Sequence, residues 1–148
     1  MITTRHFLPS DVAIVAETVR DADRKEALSV YGSVSSAIKS SVEYSGYLRT
    51  IVSGEDIIGI LGIIPGLLES QIWLVTTKRL ETHKREVVEA FRRILKEAVD
   101  SVPHDMFYNW IHKENKTMIR LLRSVKADFT EGREGFYRFT IRKNNVLS

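Results

Sequence analysis

Lys78, Arg79, His83, Lys84 and Arg85 crowd the start of the longest amphipathic segment of this chain. A helix dipole disfavours cations at its N-terminus by a few tenths to about 1 kcal/mol each, so this placement asks for a compensating negative charge. One source is a phosphate ligand seated at the helix end, as in a CoA analogue or a nucleic acid. The plainer source is local pairing with Glu81 and Glu86 in an exposed turn, and the sequence leaves both open. General-base chemistry toward an amine needs a carboxylate near a cleft. Glu26, Glu43 and Glu69 all flank candidate cleft segments, and nothing in the sequence selects one. His6, His83, His104 and His112 show no ligand-like spacing with carboxylates, which points to structural or surface roles and no metal. The chain has no cysteine, so disulfides, thiolate metal sites and a cysteine nucleophile are excluded, and a reducing, cytosolic setting is expected.

Trp73, Phe107, Tyr108 and Trp110 fall in runs expected to be central strands. Core packing is therefore the stronger reading over stacking on a base or adenine. Tyr31, Tyr44 and Tyr47 flank an irregular region and suit recognition of a partner. Asn115-Lys116-Thr117 spells a glycosylation acceptor, but without a secretory signal it reads as a helix cap.

The elements that must position these groups follow from periodicity. A short strand ends at Phe7-Leu8, and Ser10 is placed to cap a helix carrying Val12, Val15, Ala16 and Val19. Asp23 to Ser33 is polar and punctuated, so it reads as irregular chain, followed by a short helix with Ala37, Ile38 and Val42. Tyr47–Val52 and Ile57–Ile64 form a hairpin around a Ser-Gly-Glu-Asp turn. The second run is apolar on both faces, which predicts an inner strand covered above and below. Gln71–Thr77 is the next strand. Val87, Val88, Phe91, Ile94, Leu95, Ala98 and Val99 then mark the long helix, which ends before Pro103. Met106–Ile111 resumes as a strand, and a helix between two strands favours a parallel, right-handed crossover. Met118, Leu121, Leu122 and Val125 mark a short helix capped by Asn115 or Thr117, and a terminal hairpin closes the order.

With 148 residues and 43% hydrophobic content, one domain spanning 1–148 can fill a core unaided. The predicted class is α/β (α+β): a mixed central sheet of about six to seven strands flanked by about four helices. A formal charge of +3 makes whole-molecule attraction to nucleic acid or anionic lipid weak. No apolar run approaches the ~20 residues that span a bilayer, and the N-terminus lacks the apolar stretch of a secretory signal. The protein is expected to stay where it is made.

This order of elements, with one helix after the fourth strand and another after the fifth, resembles the GNAT N-acetyltransferase fold across nearly the whole chain. More narrowly, Asp23-Arg24-Lys25-Glu26, Trp73-Leu74-Val75-Thr76-Thr77, Asn109, Asn115 to Leu122 and Ala127-Asp128-Phe129 resemble the GNAT-like internal virion protein A family of short-tailed phages (podoviruses).

The resemblance implies acetyl-CoA as cofactor, held by Leu74, Val75, Thr76, Lys78, Arg79, His83, Lys84 and Asn115. Gln71 to Thr77 would offer backbone amides to the acyl carbonyl and pantetheine, and Lys78 to Lys84 would cradle the pyrophosphate. Two departures stand against this. No glycine lies between Gly66 and Gly132, so the phosphate turn is bulky. Leu122 stands where active relatives carry a tyrosine as general acid, and Lys126 replaces the glycine before the following strand. The implied function is a GNAT-fold phage protein that binds a viral or host protein in virion assembly or on a host target, with catalysis reduced or absent. It would work in the cytoplasm of the infected bacterial host or in the virion, away from membranes, with exposed edge strands leaving homo-oligomers open. The alternative is an acetyl-CoA-dependent N-acetyltransferase of a protein or small amine. A nucleic-acid module centred on residues 78 to 85 is the weakest reading.

Overall fold

The chain folds, in a computed structural model whose described residues are 1–147, around the doubly apolar run at its centre. In order the elements are β1 (Ile2–His6), α1 (Asp11–Thr18), α2 (Asp21–Leu28), α3 (Val34–Tyr44), β2 (Tyr47–Ser53), β3 (Asp56–Ile64) and β4 (Ser70–Thr76). There follow α4 (Arg79–Thr82), α5 (Lys84–Asp100), β5 (Met106–His112), α6 (Lys116–Ser124), β6 (Asp128–Glu131), β7 (Phe136–Arg142) and α7 (Lys143–Leu147). One sheet takes all seven strands in the order β1-β2-β3-β4-β5-β7-β6. Every neighbouring pair is antiparallel except β4 and β5, which run parallel on either side of the α5 crossover.

Both faces of β3 are covered, as its composition demands. On one side Ile60 and Trp73 pack with Val15, Val19 and Ile38 of the α1–α3 layer. On the other, Leu61 and Phe107 pack with Phe91, Leu95 and Leu122 of the α5–α6 layer. Fully burying each such side chain contributes about 1.5–3 kcal/mol, which is why the fold closes on β3. The β2–β3 register jumps from Ile51↔Gly59 to Val52↔Ile57, so Ile58 is a bulge that bends the sheet. Gly62 lies opposite Trp73, and a Cβ there would strike the indole ring, whose Nε1–H donates to Ser45 Oγ at 2.8 Å.

Three expectations need correcting. The polar stretch after Asp23 is not irregular throughout, because Asp21–Leu28 is helical. It lacks an apolar stripe because Asp23 and Glu26, one turn apart, are the side chains it turns inward. Ser10 makes no side-chain cap; its backbone is already helical, and Asp11 instead accepts the Leu8 N–H at 2.9 Å while holding Arg5 and Thr50. The helices among the described residues number seven rather than about four, the additions being α2, the single turn α4 and the terminal α7, whose Val146 is buried in the core. Short segments of this kind carry too few periods to read from a pattern. None of the described helices is long and apolar enough to cross a membrane.

Candidate functional site

The two strands that flank α5 touch only at their starts. Ser70 pairs with Phe107 and Gln71 with Tyr108, and beyond that the ladder between β4 and β5 stops. Asn109 secures this floor, its Nδ2 donating to Ile72 C=O at 2.8 Å and its Oδ1 accepting from Gln71 at 3.3 Å. Above the floor the strands splay. Thr77 N–H bonds back to β3 at Ile58. Strand alternation therefore turns the backbone polar groups of Ile72, Leu74 and Thr76 toward the gap.

Those groups meet different fates. Thr76 is closed off: its N–H donates to Asp23 Oδ2 at 2.8 Å, and its C=O accepts Arg20 N–H at 3.0 Å. Lys78 N–H is likewise taken by Thr18 C=O at 2.7 Å, and Val19 bridges to Thr77. The chain leaving α1 thus lies along the upper edge of β4 as a short antiparallel bridge. Leu74 is the gap-facing residue whose backbone groups have no such cover among the described residues.

A buried polar network spans the gap. Arg20, 6% exposed, donates from Nε to Thr76 Oγ1 at 2.7 Å and from Nη2 to Asn115 Oδ1 at 2.9 Å, and its Nη1 lies 3.5 Å from Glu81. The Thr76 hydroxyl donates in turn to Asp23, which forms an ion pair with Arg20 at 3.5 Å. Asn115 caps α6 by accepting Met118 N–H, and its Nδ2 donates to Asp23 and Glu26 at 3.3 and 3.0 Å. Arg20 therefore links β4, α4 and the start of α6 across the mouth of the gap. Such a network is favourable only while every member is paired.

Glu26 sits at its inner end. Its Oε1 accepts from Asn115 and from His112 N–H, each at 3.0 Å, while Oε2 has no hydrogen-bond partner among the described residues and keeps some exposure. Burial, together with the nearby Asp23 charge, pushes its pKa up to about 7 against the opposing pull of Asn115, His112 N–H and Arg20. Burial also raises Asp23, with Arg20 and the Thr76 donors acting in the opposite sense. Of the three carboxylates singled out by sequence, only Glu26 lies in the gap. Glu43 is exposed on α3, and Glu69 forms an ion pair with Arg138 at 2.5 Å.

Two hollows meet at this point. An inner cavity of about 60 Å³ reaches toward α5 and α6, with Leu122 in its wall. A groove of about 250 Å³ opens on the α2–α3 side, rimmed by Val30, Tyr31 and Trp110. Trp73 and Phe107 are core residues as expected, but Trp110 is 41% exposed at the groove. Tyr44 is exposed on α3, and Tyr47 reaches Glu97 on the other side of the sheet.

The basic turn takes a shape that its composition did not reveal. Lys78 to His83 wind into α4, anchored by buried Leu80, and the amides of Leu80, Glu81 and His83 bond within the turn. His83 binds Asp56 through Nε2 at 3.0 Å and Glu86 through Nδ1 at 3.2 Å, and these hydrogen bonds raise its pKa. Arg79 pairs with Asp56 at 3.7 Å, Lys84 with Glu81 at 3.3 Å and Arg85 with Glu89 at 3.6 Å. Carboxylates of the chain itself thus supply the negative charge that the helix start calls for, and Lys78 is left exposed.

The structure therefore brings Leu74, Thr76 and Asn115 to one gap with Glu26, and sets Lys78, Arg79, His83 and Lys84 on the turn above it. Val75 lies on β4 between them and faces the groove. Sequence reasoning missed Arg20 and Asp23. Arg20 reads as the end of an amphipathic helix, and its partners lie 56 and 95 residues away. At the far end of α6, Lys126 has φ 59°, with Ala127 N–H bonded to Leu122 C=O and Lys126 N–H to Arg123 C=O. That is a Schellman cap, and a lysine fills its left-handed position, usually a glycine.

The fold is that of the GNAT acetyltransferases. The spermidine N-acetyltransferase of Vibrio cholerae, solved with CoA and spermine, aligns at TM-score 0.67 and 13% identity over 99% of this chain and 98% of that one. The ribosomal-protein-S18-alanine N-acetyltransferase of Escherichia coli gives 0.67 and 10% over 96% and 94%. The GNAT domain of S. lividans PAT gives 0.69 and 13% over 94% and 89%. No curated protein sequence matches the chain. The family model described as bacteriophage T7, probable scaffold protein Gp13, matches residues 58–133, from β3 through the β6–β7 turn and slightly more than half of the length. The chain belongs to that phage family.

Proposed function

We propose that this chain is a GNAT-fold phage protein, akin to internal virion protein A, that acts by binding a viral or host protein, most directly in particle assembly, with catalysis reduced or absent. The observation that carries this reading is the occupation of the upper β4 edge by residues 18–23 of the same chain. Thr76 offers neither its N–H nor its C=O to a ligand, and Arg20 bars the space between α4 and α6. The inner cavity, where the thioester arm would pass between the strands, holds only about 60 Å³, and the larger space of about 250 Å³ lies outside it on the α2–α3 side. The turn that would receive a pyrophosphate is a helical turn in which the amides of Leu80, Glu81 and His83 are bonded within the turn and Arg79 and Lys84 are paired with carboxylates. Leu122 cannot donate a proton to a leaving thiolate. These residues do not fit acetyl-CoA as they stand.

The rival reading, an acetyl-CoA-dependent N-acetyltransferase of a protein or small amine, has specific support in Glu26 and Leu74. A carboxyl group with a pKa of about 7, one oxygen open to the groove, and an uncovered strand edge beside it are what amine deprotonation would use.

Calorimetry with acetyl-CoA separates the two. On the binding reading, neither the native chain nor the Lys78→Ala, Arg79→Ala, Lys84→Ala triple variant gives heat at micromolar concentration. Micromolar binding by the native chain that the triple variant loses overturns it in favour of the enzyme.

A further inference from the structure

Ten of the 22 lysines and arginines have a carboxylate within ion-pair distance among the described residues. Arg5, Lys25, Arg79, Lys84, Lys113 and Arg138 each pair with a carboxylate. One segment gathers cations with no acidic residue among them. Between Glu114 and Asp128 the sequence holds no acidic residue, yet it carries Lys116, Arg120, Arg123 and Lys126. Lys116, Arg120 and Arg123 follow the i, i+4, i+7 spacing that puts side chains on one helical row. Steps of this kind advance about 6 Å along the axis for four residues. Like charges one turn apart repel, so the row costs the helix stability unless an anion sits against it.

The row borders a hollow. Lys116, Ile119, Arg120, Arg123 and the half-buried Tyr137 of β7 line a notch of about 180 Å³, with no carboxylate in its wall. Among the described residues Arg120 has no ion pair, and Arg123 has none either but rests over the Phe129 ring, 5.8 Å from its centroid. Lys116 is within electrostatic reach of Glu114, but that carboxylate is engaged with Lys25 at 2.8 Å. Tyr137 stands edge-on to Phe129, and Lys113, already paired with Glu131, lies over its ring. The notch is on the flank of α6 away from the β4–β5 gap, and none of the residues assigned to the gap lines it.

We infer that this notch is a binding site for the phosphate backbone of a single-stranded nucleic acid, held by Lys116, Arg120 and Arg123 beside the Tyr137 ring. Planar guanidinium forks suit bidentate phosphate contacts, and a single strand can also bring a base against an aromatic ring. An acidic peptide would use the guanidinium groups but leave Tyr137 idle, so nucleic acid is the better fit. This differs from the turn at residues 78 to 85, whose cations, apart from Lys78, already have carboxylate partners.

The test is fluorescence anisotropy of a labelled single-stranded oligothymidylate titrated with the full chain over a range of salt. The variants are Arg120→Gln/Arg123→Gln and, as a control of equal charge change, Lys39→Gln/Lys96→Gln, two exposed lysines without carboxylate partners. Thermal unfolding confirms that each folds, and Lys116→Gln serves if the arginine pair does not. The inference expects the native chain to bind, the arginine variant to lose roughly tenfold or more in affinity, and its salt slope to fall by about 1.4, two contacts at ~0.7 each for single strands. The control should change little. Absence of oligonucleotide binding at low salt, an equal loss in the control, or tighter binding of polyglutamate than of the oligonucleotide each overturns it.

Discussion

Arg20 holds Thr76 twice, donating its main-chain N–H to the Thr76 carbonyl at 3.0 Å and its Nε to the Thr76 hydroxyl at 2.7 Å. The same guanidinium reaches Asn115 on α6, so one side chain joins three elements that the sheet ladder leaves apart.

Removing it should therefore cost more than the loss of an ordinary surface residue. Arg20→Ala strands Asp23, 4% exposed, without its counter-ion, and breaking a buried pair from one side costs about 3–5 kcal/mol. Replacing both partners, as in Arg20→Met/Asp23→Leu, should recover most of that loss. Urea unfolding at neutral pH measures both; a single-variant loss below about 1 kcal/mol would mean that the network is not what closes the gap.

Glu26 gives a signed pH dependence. Its folded pKa of about 7 lies above its ordinary 4.5, so the folded chain binds more protons than the unfolded chain between those values. Stability must then fall as pH rises from about 4.5 to 7 and level off above, the reverse of a salt-bridged carboxylate. Glu26→Gln keeps an acceptor for Asn115 and His112 N–H but cannot ionise. The variant should match the native chain near pH 4.5 and exceed it well above pH 7 by on the order of 3 kcal/mol. Parallel stability curves for the two proteins across this range would sink the assignment.

Lys126 holds a backbone conformation that costs an L-residue about 1 kcal/mol or somewhat more. Lys126→Gly relieves it at a site where the cap bonds are already formed, and should stabilise the chain by about 1 kcal/mol. Denaturant midpoints with unchanged m-values are the measurement, and a destabilised glycine variant would show that the lysine side chain compensates.

How much of this was legible beforehand depends on whether a signal was local. The inner position of β3, the α5 crossover and both hairpins follow from apolar runs and turn residues a few positions apart, and all are present. The helix at Asp21–Leu28 was hidden because its inward groups are carboxylates, which pattern reading assigns to solvent. At the site, the backbone of β4 and the cap at Asn115 were legible, since strand and cap signals are short-range. The Arg20–Thr76–Asn115 bonds were not, because three distant segments must fold before their side chains meet. The basic turn was legible as charge but not as chemistry. Asp56, which binds both His83 and Arg79, lies in another hairpin.

Among the described residues two pairs stitch β4 to β5, Ser70 with Phe107 and Gln71 with Tyr108. The seam between the halves of the sheet is thus fastened mainly by ionic and amide side chains in place of a backbone ladder. A solvent that competes for carboxylates attacks such a seam directly. Guanidinium resembles the Arg20 head group and should loosen it at concentrations where urea, of matched strength against the apolar layers, leaves it shut.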